Sequence, residues 1–414
     1  MLTKILVLGN YRQTLTVIRS LTKAGYHVIV GREDKRVFTQ YSRYTAEVWP
    51  HPDIEKSATD FIAALFKFLA DRRDISFIFP VGESDMLCLM HCMDRLPATI
   101  GVIMPDAEVI TTCLDKMRSY ELAARLDIPQ PPFRKIYDYP ALVASAEEIG
   151  YPCVIKPNNS LTAFFDKKAL IVHDAVDLVR SMPVWPEGNE FVVLQRYTAG
   201  YRHNCHFVAD RGKLLAYFEQ RVLRTDRRDG TGYGVDGLSF APSPVLKTYC
   251  QTLTTALDYS GAGCTQFIVD DQTGAVNFLE INPRLDAGCA IPYYCGYDFP
   301  RMAVEYTAYR RGTTTTPPTN FSGYVAGRRG GWLWGDINGW LRAMEIGNLT
   351  FTESLGWFKQ ITLTFFSSDF DLTWSWQDPL PTCYWFASLT TTYLIRFAEK
   401  FRKKRRQLKT NRLD

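Results

Sequence analysis

Short apolar runs alternate with amphipathic segments over the first hundred residues. Residues 4–9 (KILVLG) form a continuous apolar run that ends at a glycine, as buried parallel strands do. Residues 14–24 and 61–70 have apolar positions at helical spacing, and apolar runs at 27–30 and 76–80 follow them in turn. This strand–helix–strand alternation predicts a doubly wound parallel sheet, whose ligands lie beyond the carboxyl ends of the strands.

The turns after these strands carry the candidate chemistry of the sheet. The first turn, residues 9–12 (GNYR), lacks the G-x-G-x-x-G pattern, so a dinucleotide site and an NAD-dependent oxidoreductase are poorly supported. Residues 82–85 (GESD) follow the strand at 76–80 and would lie at its carboxyl end. Their two acids either face a ligand there or simply begin a helix, where early carboxylates are favourable.

The hydrophobic pattern changes after residue 130. One helix is predicted over 112–126, and the prolines at 129, 131 and 132 end it and begin a new unit. Later strands are separated by short turns, which predicts an α+β region with antiparallel sheet. The segments with strand character are 153–157, 191–195, 204–209, 214–218, 265–269 and 275–281.

The composition is that of an ordinary globular protein. Of 414 residues, 46% are hydrophobic and 22% charged, which excludes a disordered or collagen-like chain. The net charge of +4 gives no basic footprint for nucleic acid. The ten cysteines form no CxxC pair and no Cys/His cluster, so we expect buried thiols in a reducing cytoplasm rather than a zinc site. No apolar run is long enough to predict a spanning helix.

Residues 278–284 (FLEINPR) are the most informative segment. Residues two apart share a face of a strand, so Glu280, Asn282 and Arg284 point one way. A carboxylate beside an amide oxygen suits Mg²⁺, and the arginine suits an anion that the metal also touches. A tight hairpin loop with Gly274 in a left-handed conformation would place Gln266 opposite Glu280 as a third oxygen ligand. The alternative is the exposed polar face of a half-buried strand.

Two lysines and one strand end are candidate nucleotide contacts. Lys156 ends the apolar strand of YPCVIKP, and Lys116 follows Asp115 on a predicted helix. Either ammonium could reach a phosphate as a point charge, or could be an ordinary surface lysine. Residues 194–197 (LQRY) lead from a strand into a turn, where backbone groups could meet an adenine.

Together these motifs resemble the ATP-grasp superfamily, in its carboxylate–amine ligase branch, over residues 3–310. The resemblance implies ATP and Mg²⁺ (or Mn²⁺) as cofactors, with the nucleotide between two α+β subdomains. It implies that Lys116 and Lys156 contact phosphates, that Gln195, Arg196 and Tyr197 lie at the adenine, and that Glu280, Asn282 and Gln266 hold the metal. Arg284 would stabilise the transferred phosphoryl group, and Arg221, before the glycine-rich stretch 230–237, is assigned to the acceptor carboxylate or acyl phosphate.

The same resemblance implies a domain order and an activity. Residues 1–110 would form a Rossmann-like pre-ATP-grasp domain, 111–190 an N-terminal subdomain with a lid, 191–312 a C-terminal subdomain with the metal site, and 319–414 an aromatic-rich extension. The implied enzyme activates a small-molecule carboxylate (or acidic enol) as an acyl phosphate and joins it to an amine.

Two alternatives remain open from the residues themselves. The family usually has an acid where this chain has Gln266, and a glycine-rich loop where residues 158–165 (NNSLTAFF) contain no glycine. A degenerate protein that binds nucleotide without turnover is therefore the first alternative. A membrane-surface adaptor is the second, although a scaffold has no need of the polar face at 280–284.

The extension has a distinctive surface pattern. Seven of the nine tryptophans lie after residue 331, and residues 379–395 contain no charge before the basic block 402–406 (RKKRR). An uncharged aromatic helix ending in a basic cluster is typical of a segment lying on an anionic membrane. We therefore expect either a peripheral membrane contact through residues 379–408 or a helix that packs on the body. The sequence does not fix the oligomeric state or either substrate.

Overall fold

The computed structural model describes residues 2–33, 38–158, 167–319, 323–347, 349–388 and 391. Within these ranges the chain forms a five-stranded, a four-stranded and a seven-stranded sheet. The first sheet is parallel, and the other two are antiparallel apart from one pair at an edge. The predicted combination of α/β and α+β architecture is therefore confirmed.

The parallel sheet is built from the first hundred residues. Its elements are β1 (Lys4–Leu8), α1 (Arg12–Lys23), β2 (His27–Arg32), β3 (Glu47–Pro50), α2 (Ala58–Asp71), β4 (Ile75–Pro80), α3 (Glu83–Met90) and β5 (Gly101–Val102), with 3₁₀ turns at Thr39–Tyr41 and Met93–Arg95. The strand order is β3-β2-β1-β4-β5. Residues 5–8 of the central strand β1 are fully buried because apolar clusters cover both faces, which explains the continuous apolar run.

The single helix predicted over 112–126 is wrong. The structure has two helices, α4 (Ala107–Leu114) and α5 (Lys116–Arg125), separated by one extended residue, Asp115. The Asp115 carboxylate accepts hydrogen bonds from the backbone N–H groups of Met117 and Arg118 and so caps α5. The break sets Lys116 at the first position of a new helix.

The four-stranded sheet follows, with order β6-β9-β7-β8. Its elements are β6 (Phe133–Ile136), α6 (Tyr139–Ile149), β7 (Cys153–Pro157), β8 (Leu170–Val172), α7 (Ala175–Ser181) and β9 (Val192–Arg196). Strand β7 ends with Lys156 and Pro157, and β9 pairs with it so that Lys156 lies opposite Val193. The predicted strands at 153–157 and 191–195 are confirmed.

The seven-stranded sheet contains both predicted hairpins. Its elements and covering helices are β10 (Tyr201–Asp210), β11 (Lys213–Thr225), β12 (Gly234–Phe240), α8 (Pro244–Ala256), β13 (Gly261–Val269), β14 (Val276–Asn282), α9 (Ala290–Tyr294), α10 (Phe299–Arg310), β15 (Arg329–Gly331), α11 (Leu333–Glu345), α12 (Phe351–Ser367) and β16 (Phe370–Asp371). The order is β14-β13-β10-β11-β12-β15-β16, so the extension contributes the last two strands to the same sheet.

The predicted pairing of Gln266 with Glu280 between β13 and β14 is confirmed, but the pairing near the loop differs from the prediction. Gln266 pairs with Glu280 as expected, and Gly274 has a φ of 72°. Near the loop, however, Val269 pairs with Val276, which is one residue out of the predicted register. A bulge between Gln266 and Phe267 restores the expected pairing, because one extra residue in β14 shifts the ladder by one position.

The extension is anchored to the parallel sheet by a buried carboxylate. Asp378, 1% exposed, accepts hydrogen bonds from Arg19 Nε (2.9 Å), Ser42 Oγ (2.8 Å) and the backbone N–H of Arg43 (2.9 Å). Residues 380–388 are helical, and the Trp385 ring stacks on Phe38 at 4.4 Å between centroids. The start of the predicted 379–408 segment thus packs on the body, whereas residues 389–390 and 392–408 lie outside the described residues.

Candidate active site

A row of polar side chains crosses the seven-stranded sheet. Residues directly opposite in antiparallel strands share a face of the sheet. The row consists of Glu280 on β14, Gln266 on β13, Asn204 on β10, Gln220 on β11 and Ser239 on β12. A continuous polar row on a largely buried face needs a polar partner, so this row marks the candidate site.

Glu280 is the anionic end of this row. Asn282 Nδ2 donates a hydrogen bond to its Oε1 at 3.1 Å. Burial raises the pKa of Glu280, but the nearby Lys116, the hydrogen bond from Asn282 and the charge of Lys156 outweigh it and hold the pKa below the usual range. Glu280 is therefore a carboxylate at neutral pH. With the amide oxygens of Asn282 and Gln266 nearby, the donor set fits a hard cation such as Mg²⁺.

The two predicted lysines flank this carboxylate. Lys156 Nζ donates to Tyr120 Oη and to Gln195 Oε1, each at 2.8 Å, and Tyr120 Oη donates to the Leu279 carbonyl at 3.1 Å. Burial lowers the pKa of Lys156 to about 8. Burial and the charge of Lys156 also lower the pKa of Lys116, against the attraction of Glu280. Two buried cations thus share one half-buried anion, so the charges of this group favour binding of a further anion.

The three residues predicted to contact adenine, Gln195, Arg196 and Tyr197, lie at the end of β9 and directly after it. Gln195 is buried, and among the described residues its Nε2 has no hydrogen-bond partner. The backbone N–H of Arg196 donates to the Pro132 carbonyl, and that of Tyr197 to the Pro152 carbonyl, both at 3.0 Å. Those two N–H groups are therefore already used within the protein, and the Gln195 side chain is the donor left at this edge.

Arg284 connects the polar row to the parallel sheet. Its Nη2 and Nε donate to Glu83 Oε1 at 2.6 and 3.1 Å. Glu83 is the first residue of α3, just beyond the carboxyl end of β4, while Asp85 Oδ2 accepts from the Gly82 N–H at 3.0 Å. Burial lowers the Arg284 pKa, but Glu83 raises it above its usual value, so the guanidinium remains charged. Residues 82–85 therefore begin a helix, and one of their acids, Glu83, also contacts the site through Arg284.

Arg221 does not lie with the other predicted residues. It pairs with His203 across the sheet, one position out of step with the row at Asn204 and Gln220, so it is on the opposite face. There its guanidinium stacks 3.8 Å from the centroid of Tyr201 and forms an ion pair with Asp271. The assignment of Arg221 to the acceptor therefore needs correction, because the sheet separates it from Glu280.

Residues with no assigned role in the sequence analysis complete the face. Arg202, Asn204 and His206 alternate along β10, and Arg202 lowers the pKa of Glu280 together with the two lysines. Asn204 Nδ2 donates to Asp286 Oδ2 at 2.6 Å. The alternation of polar residues at 202, 204 and 206 was a detectable signal, because a strand covered by apolar helices on both sides would not carry it.

Several buried polar atoms on this face, and one on the neighbouring strand β9, lack a protein partner among the described residues. Among the described residues they include Gln195 Nε2, Arg202 Nε, Asn204 Oδ1, Gln220 Oε1 and both ring nitrogens of His206. Buried polar groups are rarely left unpaired in folded proteins. Their concentration beside Glu280 is the expected pattern of a site whose polar ligands complete these hydrogen bonds.

The comparisons with known proteins agree with this geometry. Residues 115–306 match the family model of the carbamoyl-phosphate synthase L chain, ATP binding domain. The structure superposes on biotin carboxylase from Campylobacter jejuni with a TM-score of 0.60, at 17% identity, covering 80% of this chain and 74% of that one. The chain has the fold of ATP-grasp proteins, and its residues 115–306 match an ATP-binding domain of that superfamily. The resemblance inferred from the sequence is thus confirmed.

A second solved structure and a curated sequence are also similar to this chain. The biotin carboxylase domain of 2-oxoglutarate carboxylase from Hydrogenobacter thermophilus, solved with MgADP and bicarbonate, has a TM-score of 0.59 at 21% identity, covering 78% of this chain and 73% of that one. The carbamoyl phosphate synthase large chain of Clostridium acetobutylicum is 24% identical over 220 residues, which are 50% of this chain. The chain spans about a fifth of the length of that curated relative.

Proposed function

We propose that this ATP-grasp protein is an ATP- and Mg²⁺-dependent ligase that joins a small-molecule carboxylate to an amine. The observation that carries the proposal is Glu280, a half-buried carboxylate near two buried lysines, all three within the residues that match the family model. Glu280, Asn282 and Gln266 would hold Mg²⁺, with Mn²⁺ as a substitute. When bound there, the ion would supply positive charge that offsets the charge of the phosphates during transfer.

The residues of the chain would then act mainly by charge and position. Lys116 and Lys156 would bind the phosphates, and Gln195, with Arg196 and Tyr197 beside it, would face the adenine. A carboxylate oxygen of the substrate attacks the γ-phosphorus, the bond to the bridging oxygen breaks, and ADP leaves. Both reactants are anions, so Arg284 and Arg202 would stabilise the phosphoryl group by opposing charge.

The second step consumes the acyl phosphate. The amine nitrogen attacks the carbonyl carbon, inorganic phosphate leaves with the electron pair of the C–O bond, and the nitrogen loses a proton. Water would hydrolyse the acyl phosphate, so the site must exclude it during this step. We propose that the four-stranded sheet closes over the nucleotide, in keeping with the lid expected within residues 111–190.

The test is ADP release by the full-length protein with Mg²⁺ across a panel of acids and amines. A ligase should release ADP steadily only when one acid and one amine are both present. Nucleotide binding without turnover under every combination would instead favour the degenerate protein, whose basis is Gln266 in place of an acid. ADP release that needs neither acid nor amine would contradict both readings.

We further propose that the extension contacts an anionic membrane. No helix among the described residues is long and apolar enough to cross a bilayer. One face of α12, however, exposes large apolar side chains at helical spacing: Phe351, Leu355, Phe358 and Phe366, of which Phe351 and Phe366 are 81% and 79% exposed. The basic block at 402–406 follows in the sequence, and a basic cluster beside an apolar surface favours anionic lipid.

Vesicle co-sedimentation tests this contact. Replacing the basic residues of 402–406 with glutamine should weaken binding to vesicles containing phosphatidylserine by on the order of 10³, at about 1 kcal/mol per residue. Changing Phe351, Phe358 and Phe366 to serine should also reduce pelleting, whereas changing the exposed Val176 and Val179 of α7 should not. Equal pelleting of all variants, or no dependence on anionic lipid, would leave only packing of the tail on the body.

A further inference from the structure

A second cluster of potential ligands lies one step along the sheet from the row at Glu280. His206 on β10 is directly opposite Cys264 on β13, so both side chains share the face of Asn204 and Gln266. Asp286, in the loop after β14, approaches them, with its Oδ1 3.4 Å from His206 Nε2. One ligand atom from each of the three residues lies within 4.8 Å of the others, and all three are buried.

The imidazole in this cluster is unusually poor in partners. His206 is 0% exposed, and within the described part of the chain neither ring nitrogen has a hydrogen-bond partner. Burial lowers the pKa of His206 against the charge of Asp286, so the ring is neutral and one nitrogen keeps a lone pair. A buried, neutral imidazole beside a thiol and a carboxylate is a typical ligand arrangement for a transition metal.

Gln220 offers a fourth donor. It is 2% exposed, and its Oε1 is another buried atom without a partner among the described residues. Gln220 pairs with Asn204 across the sheet, so it is the diagonal neighbour of His206 on the same face. Gly288 allows this approach, because a Cβ there would lie 2.2 Å from Gln220 Nε2.

We propose that His206, Cys264 and Asp286 bind one zinc-class cation, with Gln220 Oε1 as the fourth donor. Nitrogen, sulfur and oxygen ligands in a compact buried set favour Zn²⁺ over Mg²⁺, which takes oxygen ligands only. The Cys264 thiol proton is released to solvent when the Sγ–metal bond forms. This site adjoins the proposed Mg²⁺ site, because Cys264 pairs with Asn282 across the sheet and Asn204 donates a hydrogen bond to Asp286.

The bound cation would have a structural role in the active site. It would link β10 and β13 to the loop that carries Arg284 and Asp286. That loop is also held from the parallel sheet by Arg12, whose Nε donates to the Ala287 carbonyl at 2.8 Å. The sequence could not reveal this cluster, because His206 and Cys264 come together only through strand pairing.

The probe is Co²⁺ added to the full-length protein after treatment with a chelator. A single bound Co²⁺ should give a near-ultraviolet thiolate-to-metal charge-transfer band and visible bands of tetrahedral geometry, and Zn²⁺ should bind with 1:1 stoichiometry by elemental analysis. Cys264→Ser should remove the charge-transfer band, and His206→Gln should weaken Zn²⁺ binding by more than about 100-fold, beyond the effect of changing an outer-shell residue.

Cys250→Ser is the matched control, because Cys250 is equally buried but packs with Cys205 and Phe207 on the other face. It should keep the band and the stoichiometry. Absence of the band in the native protein, its persistence in Cys264→Ser, or its equal loss in Cys250→Ser would overturn the site. Circular dichroism establishes that each variant is folded, and Gln220→Leu, which keeps the three main ligands, should retain the band with altered visible absorption. None of these readouts requires ATP turnover, so they are independent of the proposed ligase activity.

Discussion

Glu280→Gln should reduce Mg²⁺-dependent ADP release by about three orders of magnitude, because loss of the metal's anionic ligand removes several kcal/mol of charge stabilisation. The substitution keeps the size of the side chain and an oxygen that can accept from Asn282. It removes the only negative charge among the three proposed ligands. The measurement is steady-state ADP release as a function of Mg²⁺ concentration, with the acid and amine found in the substrate panel.

Gln266→Glu is the companion change on the neighbouring strand. It adds an anion beside Glu280 and should lower the Mg²⁺ concentration needed for half-maximal activity. Glu280 and Gln266 pair directly, so the two variants change the charge of the same proposed metal site in opposite directions: one removes a negative charge and the other adds one. Near-normal activity of Glu280→Gln in a folded protein would refute the metal assignment, whatever the companion variant does.

Lys156→Met should weaken ATP binding by about 10- to 100-fold, the range for losing a hydrogen bond to a charged group. Arg196→Met should have a much smaller effect, because the Arg196 side chain is exposed and its backbone N–H donates to the Pro132 carbonyl, a contact that the substitution retains. Isothermal titration with ATP and Mg²⁺ compares the two affinities directly. If Arg196→Met proved the more damaging change, the phosphate role of Lys156 would have to be abandoned.

The same lysine predicts a pH dependence. Burial lowers the Lys156 pKa to about 8, so the ammonium is lost as the pH rises through that value. ATP affinity should then fall above pH 8, approaching tenfold per pH unit, until the pKa of the complex is reached. Lys156→Met should lack this decline.

The same lowered pKa affects the stability of the protein in the absence of ATP. Between pH 8 and the ordinary lysine pKa, the folded protein binds fewer protons than the unfolded chain. The contribution of Lys156 to the free energy of unfolding therefore rises with pH in this range.

Patterns that depend on burial and local geometry were predictable from the sequence. The apolar run of β1 and the alternation at 280–284 each report which faces are covered. Gln266 does lie opposite Glu280 as predicted, but only because a bulge offsets the error in the hairpin register. The loop pairing was wrong by one residue, since no local signal indicated the bulge in β14. The capped break at Asp115 was likewise missed, because its neighbours continue the helical spacing.

Features that depend on long-range pairing could not be predicted. Arg221 was assigned to the site because it precedes a glycine-rich stretch, yet a shift of one residue along β11 places it on the other face from Gln220. Glu83 and Arg284 are 201 residues apart in the chain and meet only in the folded protein. Sequence spacing contains no information on such contacts.

The buried Asp378 has a mechanical consequence. Its carboxylate fastens the extension to Arg19 of α1, while β15 and β16 of the same extension continue the seven-stranded sheet. The extension thereby links the parallel sheet, through α1, to the seven-stranded sheet. Relative rotation between them would pull a buried ion pair apart, so we expect the two sheets to move as one rigid unit. We therefore expect the four-stranded sheet, which carries Lys156, to be the part that moves relative to the other two sheets.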